Sequence, residues 1–180
     1  MALPSTVFKV ELHVSDMDRH YYQTHNLTLA RHPSETDERL MMRVLAFARH
    51  ASDSLAFGLG LSSQDEPDLW DKDLQGAIKL WIMVGLPDEK QFKKACRRSE
   101  KVVIYAYGGL AADTWWKKQN LLKLNNLVVV NVPVLVSHVL EQGVERSMKI
   151  QCSIQDGLMW WTDKDGTSEF EFAVLKGVNR

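Results

Sequence analysis

Two acidic segments carry the side chains best placed to do chemistry. The first opens the stretch LTLARHPSETDERLMMRVLAFARHA, residues 27–51, where Glu35, Asp37 and Glu38 closely follow Pro33 and Ser34. Acids just ahead of an apolar repeat begin a helix. Ser34 can accept from the free amides of the first turn, Asp37 makes a capping-box-like pair with it, and the negative charges sit at the positive end of the helix dipole. Leu40, Met41, Val44, Leu45 and Ala48 then recur at helical spacing and form one apolar face. On that wheel Asp37 lies along the apolar face and Glu38 at its edge, while Arg39 and Arg43 point away. A carboxylate beside a buried surface is placed to hold a ligand or move a proton. The plainer reading is that the three acids only start the helix.

The second segment is the acidic run 62–73, with Asp65, Glu66, Asp68, Asp71 and Asp73. Within it, EPDLW sets Pro67 before Asp68. Proline fixes its own backbone and leaves Asp68 extended or in a turn near Trp70. Here the plainer reading is an acidic surface loop.

Other chemistries find less support. His13, His20, His25 and His32 fall close together in the chain, but no pair has the i,i+4 spacing of a helical metal site and they come from different faces. Cys96 and Cys152 sit in apolar patterns without CxxC spacing, as small buried hydrophobes of a reducing compartment do. Cys96 neighbours Arg97, yet its helix stripe points inward, so no activated thiolate is expected.

The elements that must position these groups follow from hydrophobic period. At 180 residues, with 45% hydrophobic and 25% charged side chains, the chain is long enough to bury a core as one domain. A net charge of −1 excludes the strongly basic balance of a typical nucleic-acid protein, though not a local basic patch. No signal peptide opens the chain and no apolar run approaches the ~20 residues that span a bilayer, so a cytoplasmic location without a membrane partner is expected.

Phe8, Val10, Leu12 and Val14 alternate with polar residues as a half-buried strand, and residues 20–29 return as its hairpin partner. IKLWIMV (78–84), KVVIY (101–105) and LVVVNV (127–132) read as strands buried on both faces. Helices are expected after Pro87, after Gly108-Gly109 and after Pro133. That order signals a mostly parallel sheet covered on both faces. In the last quarter, residues 148–155, 158–161 and 170–174 alternate around an Asp156-Gly157 turn and a second turn at 163–166, as a three-strand antiparallel meander. It is expected to join the N-terminal hairpin, so that residues 1–30 and 145–180 build a second, antiparallel sheet beside an α/β core at 31–141.

LARHPSETDERLMMRVLAFA, EPDLW, LWIMVGLPDEK with KKAC after it, the WW pair of the later helix and IQDGLMWW together resemble the YaeQ family of bacterial proteins, over nearly the whole chain. That family resembles the PD-(D/E)XK nucleases, so the resemblance implies a restriction-endonuclease-like, three-layer α/β/α core with a mixed sheet. Such nucleases hold Mg²⁺ on carboxylates and use a lysine to orient the nucleophile or offset charge. Carried over residue by residue, Glu38 matches the helix acid and Asp68 the first strand acid, the pair that would bind the metal. Lys94 is the expected lysine, with Lys79 and Lys90 as alternatives. Met83 stands where the second strand acid belongs. Water can fill the missing coordination position but cannot supply the missing charge.

The expectation is therefore a degenerate site that binds nucleic acid or a protein partner. The alternative is an active Mg²⁺-dependent nuclease. Lys90, Lys93, Lys94, Arg97, Arg98, Lys117, Lys118 and Lys123 could form a basic face with Trp115 or Trp116 for stacking. The plainer reading is that lysines coat solvated helices and both tryptophans are core, the common fate of aromatic side chains.

Overall fold

The alternating N-terminal segment and its return form a long hairpin, β1 (Thr6–Asp16) and β2 (Tyr21–Arg31), in full antiparallel register from Thr6–Arg31 to Asp16–Tyr21. This computed structural model describes residues 4–120 and 123–177. Helix α1 (Asp37–His50) follows, then a two-residue strand β3 (Ala56–Phe57), β4 (Leu69–Lys72) and β5 (Ile78–Val84). The chain then alternates as α2 (Glu89–Arg98), β6 (Ser99–Ala106), α3 (Leu110–Lys117), β7 (Leu127–Asn131) and α4 (Val134–Gln142). It finishes with β8 (Ser147–Gln155), β9 (Leu158–Asp163), β10 (Gly166–Phe170) and β11 (Ala173–Lys176).

Two mixed sheets result, one in the order β10-β9-β8-β1-β2 and the other β11-β7-β6-β5-β4-β3. The three apolar runs expected as central strands pair in parallel as β5, β6 and β7. Their side chains alternate between two cores. Ile82, Val84, Val103, Tyr105, Val128 and Val130 pack with α1 and the five-stranded sheet. Trp81, Val102, Ile104, Leu127 and Val129 pack with Phe92 and Ala95 of α2 and Ala112 of α3. The layers thus run five-stranded sheet, α1 with α4, six-stranded sheet, α2 with α3.

Helix α1 lies between the two sheets. Every residue from Leu40 to Arg49 is buried, Arg43 and Arg49 included, so the helix has no wet face there and not the single apolar face read from the sequence. Its cap is Thr36, whose hydroxyl accepts from the Arg39 N–H at 3.1 Å, and not Ser34, whose hydroxyl bonds the His32 ring at 2.6 Å. Helix α2 has the full reciprocal cap, Asp88 with Gln91.

The C-terminal expectation needs two corrections. β8, β9 and β10 do join the N-terminal hairpin, and Asp156-Gly157 makes the turn with both residues at positive φ. However, β8 runs parallel to β1, so that sheet is mixed rather than antiparallel. The last alternating segment also divides. Phe170 ends β10, and β11 crosses to pair antiparallel with β7 in the other sheet. A strand's period reports that one face is buried, not which neighbour it will take.

No helix is long and apolar enough to cross a membrane among the described residues. The middle of α1 tests the layer arrangement directly. Leu45 is wholly buried, so Leu45→Ala is expected to cost about 2–5 kcal/mol of folding stability, read as a lowered urea midpoint with unchanged m-value.

Candidate functional site

Asp68 is drawn inside by the hairpin of β4 and β5. Its N–H donates to the Ile82 carbonyl at 3.1 Å, and its Oδ2 accepts from the Val84 N–H at 2.7 Å. Its Oδ1 accepts from Arg39 Nη2 at 2.6 Å. Asp68 is only 5% exposed, a buried residue and not part of an open acidic loop. Loop residues pack on it from outside: the Gly58 N–H donates to the Asp68 carbonyl at 3.0 Å and the Gly60 N–H to the Pro67 carbonyl at 3.2 Å.

Arg39 and Arg43 overturn the helical-wheel reading, which pointed them away. Arg39 reaches from α1 to Asp68 and, through Nη1, to Glu35 at 3.1 Å. Glu35 is held in turn by Arg43, with Nε to Oε1 and Nη2 to Oε2 both at 2.8 Å. Arg43 Nη2 also donates to the Ala30 carbonyl of β2 at 3.1 Å. The outcome is an alternating ladder, Asp68–Arg39–Glu35–Arg43, from the end of one sheet to the edge of the other. Burial pulls the Arg39 guanidinium down, but Asp68 and Glu35 outweigh it and hold the pKa above its ordinary value.

A cavity of about 490 Å³ opens at the carboxyl end of β5. That end of a parallel strand set is where α/β sheets commonly accept ligands. Arg39, Asp68, Trp81, Met83, Gln91, Lys94 and Tyr107 are among its lining residues. Of the residues singled out from sequence, Asp68, Lys94 and Met83 therefore share one cleft. Lys94 is ion-paired with Asp65 at the rim.

Glu38 is half-buried in the first turn of α1 and is not among the lining residues, although its charge acts on Tyr107. Lys79 sits at the other end of β5, bonded to Glu100 at 2.5 Å and near Asp73 at 3.6 Å. Lys90 is exposed and outside the lining. Asp37 pairs with Arg31. Trp115 is half-buried, edge-on to Phe92, with its N–H donated to the Pro87 carbonyl at 2.8 Å.

Tyr107 and Trp81 were not singled out as site residues. Burial pushes the Tyr107 phenol up to about 12; the charges of Glu38, Asp68 and Glu35 add to this and Arg39 opposes it. The phenol therefore stays a proton donor at any ordinary pH. Burial likewise raises the Cys96 thiol to about 11, which suits a packed thiol and not a nucleophile.

The side chains do not fit a divalent-cation site. Among the described residues no group of three or more His, Cys, Asp or Glu could hold a metal ion. Both Asp68 oxygens already have protein donors, one of them a full positive charge. A cation there would meet Arg39.

Comparison with known proteins places the chain among close relatives. A family model described as YaeQ protein matches residues 1–172. The chain is 40% identical to the YaeQ protein of Escherichia coli (strain K12) over 172 residues, 94% of each chain. It resembles the crystal structure of YaeQ from Xanthomonas axonopodis pv. citri with a TM-score of 0.92 and 46% identity, covering 97% of this chain and 99% of that one. For YaeQ from Pseudomonas syringae the TM-score is 0.95 with 39% identity, covering 99% and 100%.

Two measurements probe the ladder. Asp68→Ala leaves Arg39 short of one acceptor and the Val84 N–H unpaired, so it is expected to cost about 3–5 kcal/mol by urea unfolding. Adding Arg39→Met should recover part of that loss. Tyr107 supplies a pH test. Its folded pKa lies above the ordinary 10.0, so its contribution is complete below pH 10 and is lost as pH rises towards about 12. Tyr107→Phe should flatten that part of the alkaline stability profile.

Proposed function

The chain belongs to the YaeQ family, and from that premise we propose that it is a non-catalytic nucleic-acid-binding protein on a nuclease-like α/β/α scaffold. The observation that carries this reading is the fate of Asp68. The carboxylate that a PD-(D/E)XK-type enzyme would give to Mg²⁺ is neutralised from within by Arg39, and Met83 lines the cleft where a second acid would be required. Binding a hard cation needs converging anionic oxygens. This cleft offers an internal salt bridge and a thioether.

Charge favours a polyanionic strand over a protein partner. Lys90 and Arg97 of α2, with Lys117 and Lys118 at the end of α3, are exposed and make no ion pair among the described residues. Helix α2 carries Lys90, Lys93, Lys94, Arg97 and Arg98 against one acid, Glu89. Such cations release counterions from a phosphate backbone, and the resulting affinity falls with salt. With an overall net charge of −1, binding depends on this face and not on the whole-molecule field.

The competing reading is an active Mg²⁺-dependent nuclease using Glu38, Asp68 and Lys94. It draws on Asp68 and Lys94 sharing one cleft. The decisive experiment offers single-stranded, duplex and branched DNA and RNA with Mg²⁺ or Mn²⁺, and titrates Mn²⁺ calorimetrically. The expected outcome is salt-sensitive binding of an oligonucleotide, no cleavage and no heat of metal binding. Metal-dependent cleavage that disappears in Asp68→Asn would establish the nuclease instead.

A further inference from the structure

The edge of a sheet offers unpaired backbone groups to any other strand, and three of the four edges here are protected. β3 has two residues, β10 has five and carries Glu169, and β11 has four, ends on Lys176 and pairs irregularly. The fourth edge, β2, has none of these devices. It runs eleven residues in unbroken register with β1, an edge about 35 Å long. Residues 21–30, YYQTHNLTLA, hold no Asp, Glu, Lys, Arg, Pro or Gly.

The ladder shows which groups are left over. The Lys9 N–H donates to the Arg146 carbonyl and the Met17 N–H to the Ile154 carbonyl, both at 2.9 Å. Odd-numbered residues of β1 therefore bond towards β8 and even-numbered ones towards β2. Val10–Leu27, Leu12–His25 and Val14–Gln23 are then the bonded pairs of the hairpin. Tyr22, Thr24, Asn26 and Thr28 turn their N–H and C=O groups outwards. All four are exposed, and among the described residues no hydrogen bond uses these backbone groups. The Ala30 carbonyl, next in the same series, is held by Arg43. Beside the strand lies an open groove of about 560 Å³ with Phe47, Leu55 and Phe57 in its lining, apolar surface for an incoming chain.

We propose that β2 is the interface of a homodimer, pairing antiparallel with β2 of a second copy about a two-fold axis at His25 and joining the two five-stranded sheets into one. Only that register uses all four outward residues: Tyr22 meets Thr28 of the second copy and Thr24 meets Asn26 of the second copy, each pair exchanging two bonds. Centring on Asn26 instead sets Tyr22 against Ala30, whose carbonyl Arg43 already holds. The contact brings no like charges together, because the segment is uncharged and burial lowers the His25 pKa against a smaller pull from Asp53. A second copy is favoured over an unrelated peptide because the strand supplies its own complement and the two-fold pairing closes both edges at once. The interface is independent of the nucleic-acid reading.

Sedimentation of the full-length protein over a micromolar concentration range is expected to show a reversible monomer–dimer equilibrium. Asn26→Pro removes an outward N–H and no bond to β1, at a position where an edge strand tolerates proline. It is expected to weaken dimerisation about tenfold with circular dichroism unchanged. Thr24→Lys places a charge beside the axis in each copy; it is expected to weaken the dimer to a similar degree, and it keeps the test usable if Asn26→Pro does not fold. His25→Cys should crosslink to itself under mild oxidation, since facing residues of a non-bonded pair lie about 4.5 Å apart between Cα atoms.

A dimer that persists undiminished in both Asn26→Pro and Thr24→Lys has its interface elsewhere and would overturn the inference. So would a wild-type protein that stays monomeric at every concentration. If its Thr24 and Asn26 amide resonances then move on addition of a Thr-Val repeat peptide, the edge belongs to a peptide partner instead; if they stay still, it pairs with nothing.

Discussion

The buried ladder Asp68–Arg39–Glu35–Arg43 is the constraint on which the layered architecture turns. It starts beside β5 in one sheet, passes through α1 and ends on the Ala30 carbonyl of β2 in the other. Helix α1 has no solvent face along most of its length, so Arg39 and Arg43, two of its three arginines, are neutralised inside by Asp68 and Glu35. Removing any one member leaves a charge stranded where water cannot reach it easily. Two acids and two guanidiniums in alternation keep the run electrically balanced. Strong charge-assisted bonds at 2.6–3.1 Å also fix how the two sheets sit across the helix.

This explains what sequence reading could and could not see. The apolar runs at 78–84, 101–105 and 127–132 are buried on both faces, a pattern that needs no tertiary knowledge, and they became the parallel centre of the larger sheet. The helix starts after Pro87 and Pro133 and the Asp156-Gly157 turn are equally local. The direction of Arg39 and Arg43 is not. A helical wheel assumes one wet side, and it fails for a helix enclosed by a sheet on either side. Strand partners are also non-local, so the parallel pairing of β1 with β8 and the crossing of β11 could not be read from alternation alone.

The site was visible only where local chemistry marked it. Asp68 stood out because proline precedes it, and Lys94 and Met83 proved to share its cleft. Glu38 stood out as an acid in a first turn, a pattern with an ordinary helical explanation, and it lies outside the cleft lining. Trp81 and Tyr107 carried no local mark. Trp81 reads as core in a continuous apolar run, and most of its ring is core, in edge-on contact with Trp70. Its buried indole N–H finds no acceptor among the described residues, a fact that only three-dimensional accounting of donors and acceptors can reveal.

The loop over Asp68 shows what the fold has invested in. Between residues 51 and 60, two glycines are sterically obliged. A Cβ on Gly58 would lie 2.3 Å from the Pro67 carbonyl oxygen, and one on Gly60, at φ +49, would lie 2.8 Å from Asp68 Oδ1. The backbone at Gly58 and Gly60 therefore lies close against Pro67 and the Asp68 carboxylate. An acid meant to exchange ligands with a hydrated cation needs free lone pairs and room for water. Here each oxygen already has a protein donor, Arg39 on Oδ1 and the Val84 N–H on Oδ2, and Gly60 packs close against Oδ1. The local chain geometry and the charge pairing thus act in the same direction: they hold Asp68 as part of the frame that joins α1 to the β5 end.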